Sequence, residues 1–334
     1  MPPSISIIVP CYNEEATIGL LLGALLQQTY PRRQMEVVIA DGLSQDGTRA
    51  VIAAFRQAHP DLTVQLKDNP RRVIPSAVNV ASAAACGDIL IRLDAHSIPV
   101  PEYVERCVEA IEAGRGRVVG GVWSIRPGAP GFIAEGIAEA GSHPLGVGDA
   151  LYRLDAKAGA ADTVPFGAYR RSLFQQMGGL DESLLTNEDY EFNTRVRRDG
   201  GVVWLDPQIR STYVARASLP ALARQYWRYG YWKLKMLQRY PDSIRWRQAL
   251  PPAFVASLIV LLLLSVFLPP ARILLLAELI IYLCVLFGAG LQRAVRRRKP
   301  LLVPGMAAAI ATMHIAWGGG FLWSLLSGSS KLHG

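Results

Sequence analysis

The sequence predicts an α/β domain followed by a membrane-embedded C-terminal region. Apolar strands alternate with helices through residues 1–210, which is typical of a mostly parallel sheet with helices on both faces. Three long apolar stretches follow, each near the roughly 20 residues that a helix needs to cross a bilayer. Hydrophobic residues make up 51 % of the chain and charged residues 19 %, which excludes a disordered protein.

The alternating segments give each element its place. Strands are predicted over residues 4–10, 36–40, 63–67, 89–93 and 118–123, and helices over residues 17–28, 48–58, 75–85 and 101–113. We expect Asn13 to cap the first helix, with Glu14 and Glu15 in its first turn. In such a fold the binding crevice lies at the carboxyl ends of the strands.

Polar side chains follow three of these strands. Tyr12-Asn13-Glu14 follows the first strand, Asp41 ends the second, and Asp94-Ala95-His96 follows the fourth. We expect these groups to share one edge of the sheet, where carboxylates and an imidazole indicate a hydrated divalent cation with an anionic ligand. The glycine-rich fingerprints of dinucleotide sites and P-loops are absent from the sequence.

Four motifs occur in order between residues 4 and 240. They are SIIVPCYNEE at 6–15, Asp41 with Asp46-Gly47-Thr48, Asp94-Ala95-His96, and Asn187-Glu188-Asp189-Tyr190 preceded by GGLD at 178–181. Together they resemble the motifs of family 2 glycosyltransferases, which have the GT-A fold. The added C-terminal spans make the chain most similar to membrane-anchored glucosyltransferases of succinoglycan-type exopolysaccharide assembly. Two positions depart from the family pattern: Gly42 replaces a second Asp, and His96 replaces the last Asp of D-x-D.

The resemblance implies transfer of a hexose from a UDP-sugar to an acceptor hydroxyl. Asp189 is then the general base, Glu188 orients it or the acceptor, and one base opposite the leaving group implies inversion. We expect these two adjacent carboxylates to lie at the start of a helix, whose dipole keeps them ionised. Asp94 is the main metal ligand and His96 a second ligand or a diphosphate contact, with packing in the loop as the alternative for His96. The cofactor is a divalent cation, Mn²⁺ or Mg²⁺. Imidazole is a competent ligand for Mn²⁺ but a less typical one for Mg²⁺.

The resemblance also implies how the substrates are held. Tyr12 and its backbone flank the uracil, Glu14 approaches the ribose, and Asp41 accepts a hydrogen bond from a base N–H. Arg71 or Arg72 meets the base or the phosphates, unless this pair is only solvated surface charge. The expected substrate-binding residues are Pro10, Tyr12, Glu14, Asp41, Arg71, Arg72, Asp94, Arg224 and Arg228.

The net charge of +8 is unevenly distributed. Residues 1–209 sum to −6, residues 210–247 to +8 and residues 248–334 to +6, which suits a membrane surface and argues against nucleic acid as a partner. Residues 219–240 predict an interfacial helix with interleaved aromatic and basic side chains. Its Arg224 and Arg228 are one turn apart and either bind a diphosphate or serve only as a membrane anchor.

The predicted domains are a cytoplasmic glycosyltransferase domain at 1–215, an amphipathic segment at 216–248 and a membrane domain at 249–334, with spans at 249–268, 273–291 and 301–326. Arg245, Arg247 and the basic run at 293–299 place the catalytic domain on the cytoplasmic side of the inner membrane. The C-terminus, with Lys331, would face the other side. For Glu278, within the second span, we expect an interfacial role.

The sequence therefore predicts addition of one hexose, glucose being favoured, to a polyprenyl-diphosphate-linked saccharide, with a polysaccharide assembly complex as a further partner. Three alternatives stay open: a polyprenyl-phosphate hexosyltransferase, a processive polysaccharide synthase and a non-catalytic membrane scaffold. The glycines within residues 124–165 suggest a mobile segment that borders the acceptor. The four cysteines have no metal-binding spacing and are expected to be free thiols.

Overall fold

The computed structural model describes residues 2–154, 156–241 and 245–327, so Lys331 lies outside the described residues. Contacts within the chain group residues 1–124 and 151–213 into a first unit and residues 125–150 and 214–334 into a second. The domain division from the sequence assigned residues 125–150 to the glycosyltransferase domain. In the structure this segment belongs to the second unit, where its helices contact the helices at residues 219–239 and 302–326.

The elements follow one another as alternating strands and helices, with the long helices last. The strands are β1 Ile5–Cys11, β2 Met35–Asp41, β3 Thr63–Asp68, β4 Ile89–Arg92, β5 Ile98–Pro99, β6 Val118–Arg126, β7 Gly159–Ala160, β8 Ala168–Arg170 and β9 Val203–Val214. The helices are α1 Ile18–Leu26, α2 Thr48–Ala58, α3 Ile74–Ala84, α4 Tyr103–Glu112, α5 Phe132–Ala140, α6 Pro144–Val147, α7 Arg171–Gln176, α8 Glu188–Arg198, α9 Leu219–Arg239, α10 Trp246–Ser265, α11 Pro269–Arg297 and α12 Leu302–Leu326.

The strands form one mixed sheet in the order β3-β2-β1-β4-β8-β6-β9-β5, with β7 also pairing with β9. The half containing β3, β2, β1 and β4 is parallel, as predicted. Beyond β4 the sheet turns antiparallel, because β8 runs opposite to both β4 and β6. The carboxyl ends of β2, β1 and β4 therefore lie at one edge of the sheet.

Helices cover both faces of the sheet, as predicted. Side chains alternate along β1, so Ile7 and Val9 pack in a cluster with α1 and α4. Ile8 lies on the opposite face in a cluster with α3 and α8. This double cover explains why the inner parallel strands β1, β2 and β4 are mostly apolar, whereas the edge strand β3 alternates polar and apolar residues.

The first helix begins later than the sequence predicted. Asn13 is not its cap: it has a left-handed backbone conformation with φ 53°, and α1 begins at Ile18. The backbone N–H of Asn13 donates to Ser44 Oγ, and that of Glu14 donates to Thr48 Oγ1, both at 2.8 Å. These contacts with the loop after β2 outweigh the local capping preference and keep Glu14 and Glu15 outside the helix.

In the described part of the second unit, three helices are long and apolar enough to cross a membrane, at residues 247–265, 269–297 and 302–326. This confirms the prediction of three long apolar C-terminal helices. Ser257 on α10 donates a hydrogen bond to Glu278 on α11, which links two of them. The four cysteines are free thiols, as expected.

Glycines in residues 125–150 serve close packing. A Cβ on Gly136 would lie 2.3 Å from the carbonyl carbon of Gly305 on α12, and a Cβ on Gly146 would lie 2.2 Å from the carbonyl oxygen of Ala140. The mobility expected from these glycines stays a prediction, and at both positions the structure gives glycine a packing role. They are small because another backbone passes where a side chain would stand.

Candidate active site

A buried guanidinium joins three carboxylates at the carboxyl edge of the sheet. Arg92, the last residue of β4, is only 3 % exposed. Its Nε and Nη2 donate to Asp94 Oδ1, each at 3.1 Å, and its Nη1 donates to Glu188 Oε1 at 3.1 Å and Asp189 Oδ1 at 2.5 Å. The two motifs that carry Asp94 and Asp189 are far apart in sequence, and this arginine brings them together.

Glu188 and Asp189 occupy the first turn of α8, as the sequence predicted. Asn187 precedes the helix in a left-handed conformation with φ 69°, which turns the chain into α8 at the cluster. The positive end of the helix dipole favours the ionised form of both carboxylates. Among the described residues, the Asn187 amide nitrogen is a buried donor without a hydrogen-bond partner, which leaves it available to a substrate oxygen.

The surroundings of Asp189 change the pKa of its carboxyl group. Burial raises the pKa of Asp189 to about 7, and the charges of Glu188 and Asp94 act in the same direction while Arg92 opposes them. A general base works best when its pKa lies near the working pH, because it is then both ionised and basic enough to take a proton.

A second pair links the first and fourth strand ends. His96 Nδ1 lies 2.9 Å from Glu14 Oε1, so two of the predicted site residues are in contact. Burial acts to raise the pKa of Glu14, but hydrogen bonds with His96 and Thr17 outweigh it and lower the pKa from its ordinary value. Glu14 is therefore an ionised carboxylate that holds the ring of His96 in one orientation.

The residues at this edge fit a cation that is bound together with a diphosphate. No group of three or more His, Cys, Asp or Glu side chains among the described residues is arranged to hold a metal ion by itself. Asp94 and His96 offer one carboxylate and one imidazole, which is a competent donor set for Mn²⁺. An ion that uses one or two protein ligands completes its coordination with substrate phosphates and water.

Asp41 lies at the same edge but inside the protein. Its side chain is fully buried, and it accepts hydrogen bonds from the Ser44 backbone N–H at 3.0 Å and from Arg49 Nε at 2.6 Å. The Ser44 hydroxyl also donates to it, at 2.5 Å. Asp41 thus fixes the loop after β2, and the expected contact with a base would have to share these bonds.

Tyr12 and Arg72 form the exposed part of this edge. The Tyr12 ring is 41 % exposed, and the guanidinium carbon of Arg72 lies 5.7 Å from its centroid. A Cβ on Gly42 would come within 2.9 Å of the same ring, which explains why glycine stands where the family pattern has Asp. The other expected contacts differ: Pro10 is buried within β1, and Arg71 pairs with Glu182.

The remaining predicted residues belong to the second unit. Arg224 and Arg228 lie on α9 in the second unit, where both are exposed. Sequence reasoning missed Arg92 and Asn187. The one available signal for Arg92 was a charged residue at a position of the strand Ile89–Arg92 where both faces are covered.

Comparisons with known proteins agree with this geometry. The family described as Glycosyl transferase family 2 matches residues 6–178. The succinoglycan biosynthesis protein ExoA of Rhizobium meliloti (strain 1021) is 34 % identical over 325 residues, covering 96 % of this chain and 94 % of that protein. A dolichyl N-acetyl-α-D-glucosaminyl phosphate 3-β-D-2,3-diacetamido-2,3-dideoxy-β-D-glucuronosyltransferase of Methanococcus voltae is 26 % identical and covers 98 % of both chains.

The fold also has solved counterparts. The mannosyltransferase PcManGT from Pyrobaculum calidifontis, solved in complex with GDP-Man and Mn²⁺, superposes with a TM-score of 0.64 at 21 % identity, covering 94 % of this chain and 88 % of that one. At that identity the likeness establishes the GT-A-type fold alone. The matched motifs, the full-length similarity and the fold together lead to one conclusion: the chain belongs to glycosyltransferase family 2.

Proposed function

We propose that this glycosyltransferase is an inverting enzyme that moves a hexose, glucose being favoured, from a UDP-sugar to a polyprenyl-diphosphate-linked saccharide in cell-surface polysaccharide assembly. The observation that carries the proposal is the cluster of Asp94, Glu188 and Asp189 around Arg92. It combines a metal-ligating carboxylate and a base of near-neutral pKa in one place, as a single displacement requires.

In the proposed mechanism Asp189 accepts the proton of the acceptor hydroxyl as its oxygen attacks C1 of the sugar. The bond from C1 to the diphosphate oxygen breaks on the opposite face, and UDP leaves with the bonding electrons. A divalent cation held by Asp94 and His96 would act as a Lewis acid toward the charge on the leaving diphosphate. One displacement inverts C1, so a UDP-α-sugar gives a β-linkage.

Arg92 and Glu188 position the base. The 2.5 Å contact between Arg92 and Asp189 fixes one carboxylate oxygen and leaves the other for the acceptor. Glu188, on the same helical turn, is 8 % exposed and accepts a hydrogen bond from the same guanidinium. This bond limits how far Arg92 can move toward Asp94 or Asp189. The geometry of the base is thus set by charge pairing rather than by apolar packing.

The donor would bind along the edge formed by Tyr12, Glu14 and Arg72. The exposed Tyr12 ring offers a face for the uracil, and Arg72 beside it offers a cation for the phosphates. Asp41 supports this edge through Ser44 and Arg49. Arg71 contributes only if it releases Glu182.

A lipid-linked acceptor is supported by the relatives and by the second unit. The Methanococcus relative is named for a dolichyl-phosphate-linked sugar acceptor, and ExoA is named for succinoglycan biosynthesis. The apolar helices of this chain would hold it in the inner membrane, with the catalytic domain cytoplasmic. Confinement to the plane of the membrane raises the effective concentration of such an acceptor.

The test is transfer from radiolabelled UDP-glucose, with Mn²⁺, in membranes that contain the full-length protein, followed by organic extraction and mild acid hydrolysis. We expect label in the lipid extract, released by acid as an oligosaccharide. Released monosaccharide, together with an active Asp189→Asn variant, would show transfer to a polyprenyl phosphate instead. Label in long polymer would indicate a processive synthase, and no UDP release from any UDP-sugar would indicate a scaffold.

A further inference from the structure

The long apolar helices of the second unit differ in how much of their surface is covered. Large apolar side chains on α10 from Ile259 onward and on α11 from Ile273 to Phe287 are repeatedly 42–69 % exposed. In the most apolar stretch of α12, 39 % of the residues are buried. In the corresponding stretches of α10 and α11, the buried share is 11 % and 17 %. The α10–α11 hairpin therefore has a lipid-facing surface, while α12 is covered by protein along much of its length.

One cover of α12 is the basic helix α9. A Cβ on Gly230 of α9 would lie 2.0 Å from the carbonyl oxygen of Trp317, and a Cβ on Gly320 would lie 2.2 Å from that of Trp227. The two backbones are in direct contact there. Arg224 and Arg228, on either side of Trp227, are exposed at this same level of α12.

The other cover is the segment α5–α6. Gly136 meets Gly305 near the start of α12, and His314 in its middle donates through Nε2 to the Leu145 carbonyl at 2.7 Å. The donor assignment follows because the Leu145 carbonyl can only accept. His314 Nδ1 is then the acceptor for the Tyr282 hydroxyl on α11, 3.0 Å away. This segment also carries Glu135 and Glu139, which pair with Lys299 and with Arg293 and Arg297.

These contacts conflict with an upright α12. If Leu302 stood at the inner edge of the bilayer, Trp317 would lie about 22 Å deeper, at 1.5 Å per residue, in a hydrocarbon layer about 30 Å thick. Arg224 and Arg228 would be carried to the same depth by the contact between α9 and α12. Charged side chains are strongly disfavoured there, and Arg224 and Arg228 lie on the exposed side of α9, away from its contact with α12.

We propose that α5, α9 and α12 form a layer that docks into the headgroup region of the cytoplasmic leaflet, and that only the α10–α11 hairpin crosses the bilayer. Residue 327, at the end of α12, then lies on the cytoplasmic side, contrary to the orientation expected from the sequence. The hairpin still obeys the positive-inside rule, because Arg245 and Arg247 precede it and the basic run at 293–299 follows it.

Residue-by-residue labelling tests this topology in the full-length protein. In a variant without the four native cysteines, Ser327→Cys, Phe267→Cys and Arg296→Cys are each reacted with a membrane-impermeant maleimide in intact spheroplasts and in inverted vesicles. We expect Ser327→Cys and Arg296→Cys to react only in inverted vesicles, and Phe267→Cys only in spheroplasts. Reaction of Ser327→Cys in spheroplasts would overturn the proposal.

A second measurement removes the dependence on cysteine replacement. The wild-type chain is fused after its last residue to green fluorescent protein or to alkaline phosphatase. We expect a fluorescent first fusion and an inactive second one, and the reverse pattern would overturn the proposal. Neither readout uses transferase activity, so the result is independent of the proposed function.

Discussion

The two units of the chain use opposite means to bring distant segments together. In the first unit, Arg92 draws Asp94, Glu188 and Asp189 to one edge of the sheet by charge in a place with little water. In the second, helices meet backbone to backbone at Gly136, Gly230 and Gly320, where a side chain has no room.

The difference teaches that the same substitution should have different consequences in the two units. Charges held in a low dielectric interact strongly, so a change of charge in the first unit should alter chemistry. Helices that meet backbone to backbone have no room for an added side chain, so a change of volume in the second unit should alter stability.

Removal of the central guanidinium should have the largest effect. Arg92→Met leaves three carboxylates without their shared cation, and we expect a loss of about 3–5 kcal/mol in unfolding free energy together with loss of transfer. Thermal unfolding and UDP release measure the two effects. Arg106→Met, which breaks an exposed pair with Glu109, is the control and should leave both unchanged. A stable, active Arg92→Met variant would show that the carboxylates need no common cation.

Removal of the base should act on chemistry alone. Asp189→Asn keeps the shape of the side chain but cannot accept the acceptor proton, so we expect kcat to fall by about 10²–10⁴-fold. The unfolding temperature should not fall, because the charge of a partly buried carboxyl with a raised pKa is removed while the hydrogen bond to Arg92 is retained through the amide oxygen. Glu109→Gln, an exposed carboxamide substitution, is the matched control for kcat. Retained turnover in Asp189→Asn would assign proton removal to another group.

A single methyl group should disturb the second unit without touching the chemistry of the first. In Gly230→Ala the Cβ would lie 2.0 Å from the Trp317 carbonyl oxygen, and we expect a loss of about 1–3 kcal/mol from overpacking. Gly288→Ala on α11 is the matched control, because no other atom lies within 4 Å of its Cβ position. Thermal unfolding in detergent should lower the melting temperature of the first variant only. Equal melting temperatures would mean that the α9–α12 contact is loose.

The pH dependence should separate activity from stability at one residue. In free enzyme, kcat/KM should fall about tenfold per pH unit below about 7, because protonated Asp189 cannot act as base. Stability should change the other way: the folded-state pKa is raised, so this carboxyl contributes stability below its unfolded pKa, near 4, and loses it as pH rises to about 7.

Comparison of wild type with Asp189→Asn isolates that contribution. The melting-temperature difference between them should grow in favour of the variant from pH 4 to pH 7. A flat kcat/KM profile down to pH 5 would show that the base titrates elsewhere. If the melting-temperature difference does not change with pH, ionisation of Asp189 does not destabilise the folded protein.

The sequence by itself determined the features that depend on neighbouring residues. The parallel strands before β5, the helix start at Glu188 and the three long apolar helices follow from runs of apolar residues and from helix-capping chemistry within a few positions. The order of the motifs predicted family 2, to which the chain belongs, while the roles of Asp94, His96, Glu188 and Asp189 stay predictions. Such signals are local, because strand and helix periodicity and turn chemistry act over fewer than about 20 residues.

Contacts between residues that are distant in sequence became known from the folded chain. Arg92 and Asp189, which form a hydrogen bond, are 97 residues apart in the sequence. Asn13 and Ser44 are 31 residues apart, and their contact replaces the expected helix cap. His314 and Leu145 are 169 residues apart. The packing of Gly136 against Gly305 on α12 is a further contact between distant segments. Each of these outcomes depends on a partner that the fold supplies from far along the chain. No local pattern can encode such a partner, because hydrogen bonding and close packing depend on distance in space rather than on separation in sequence.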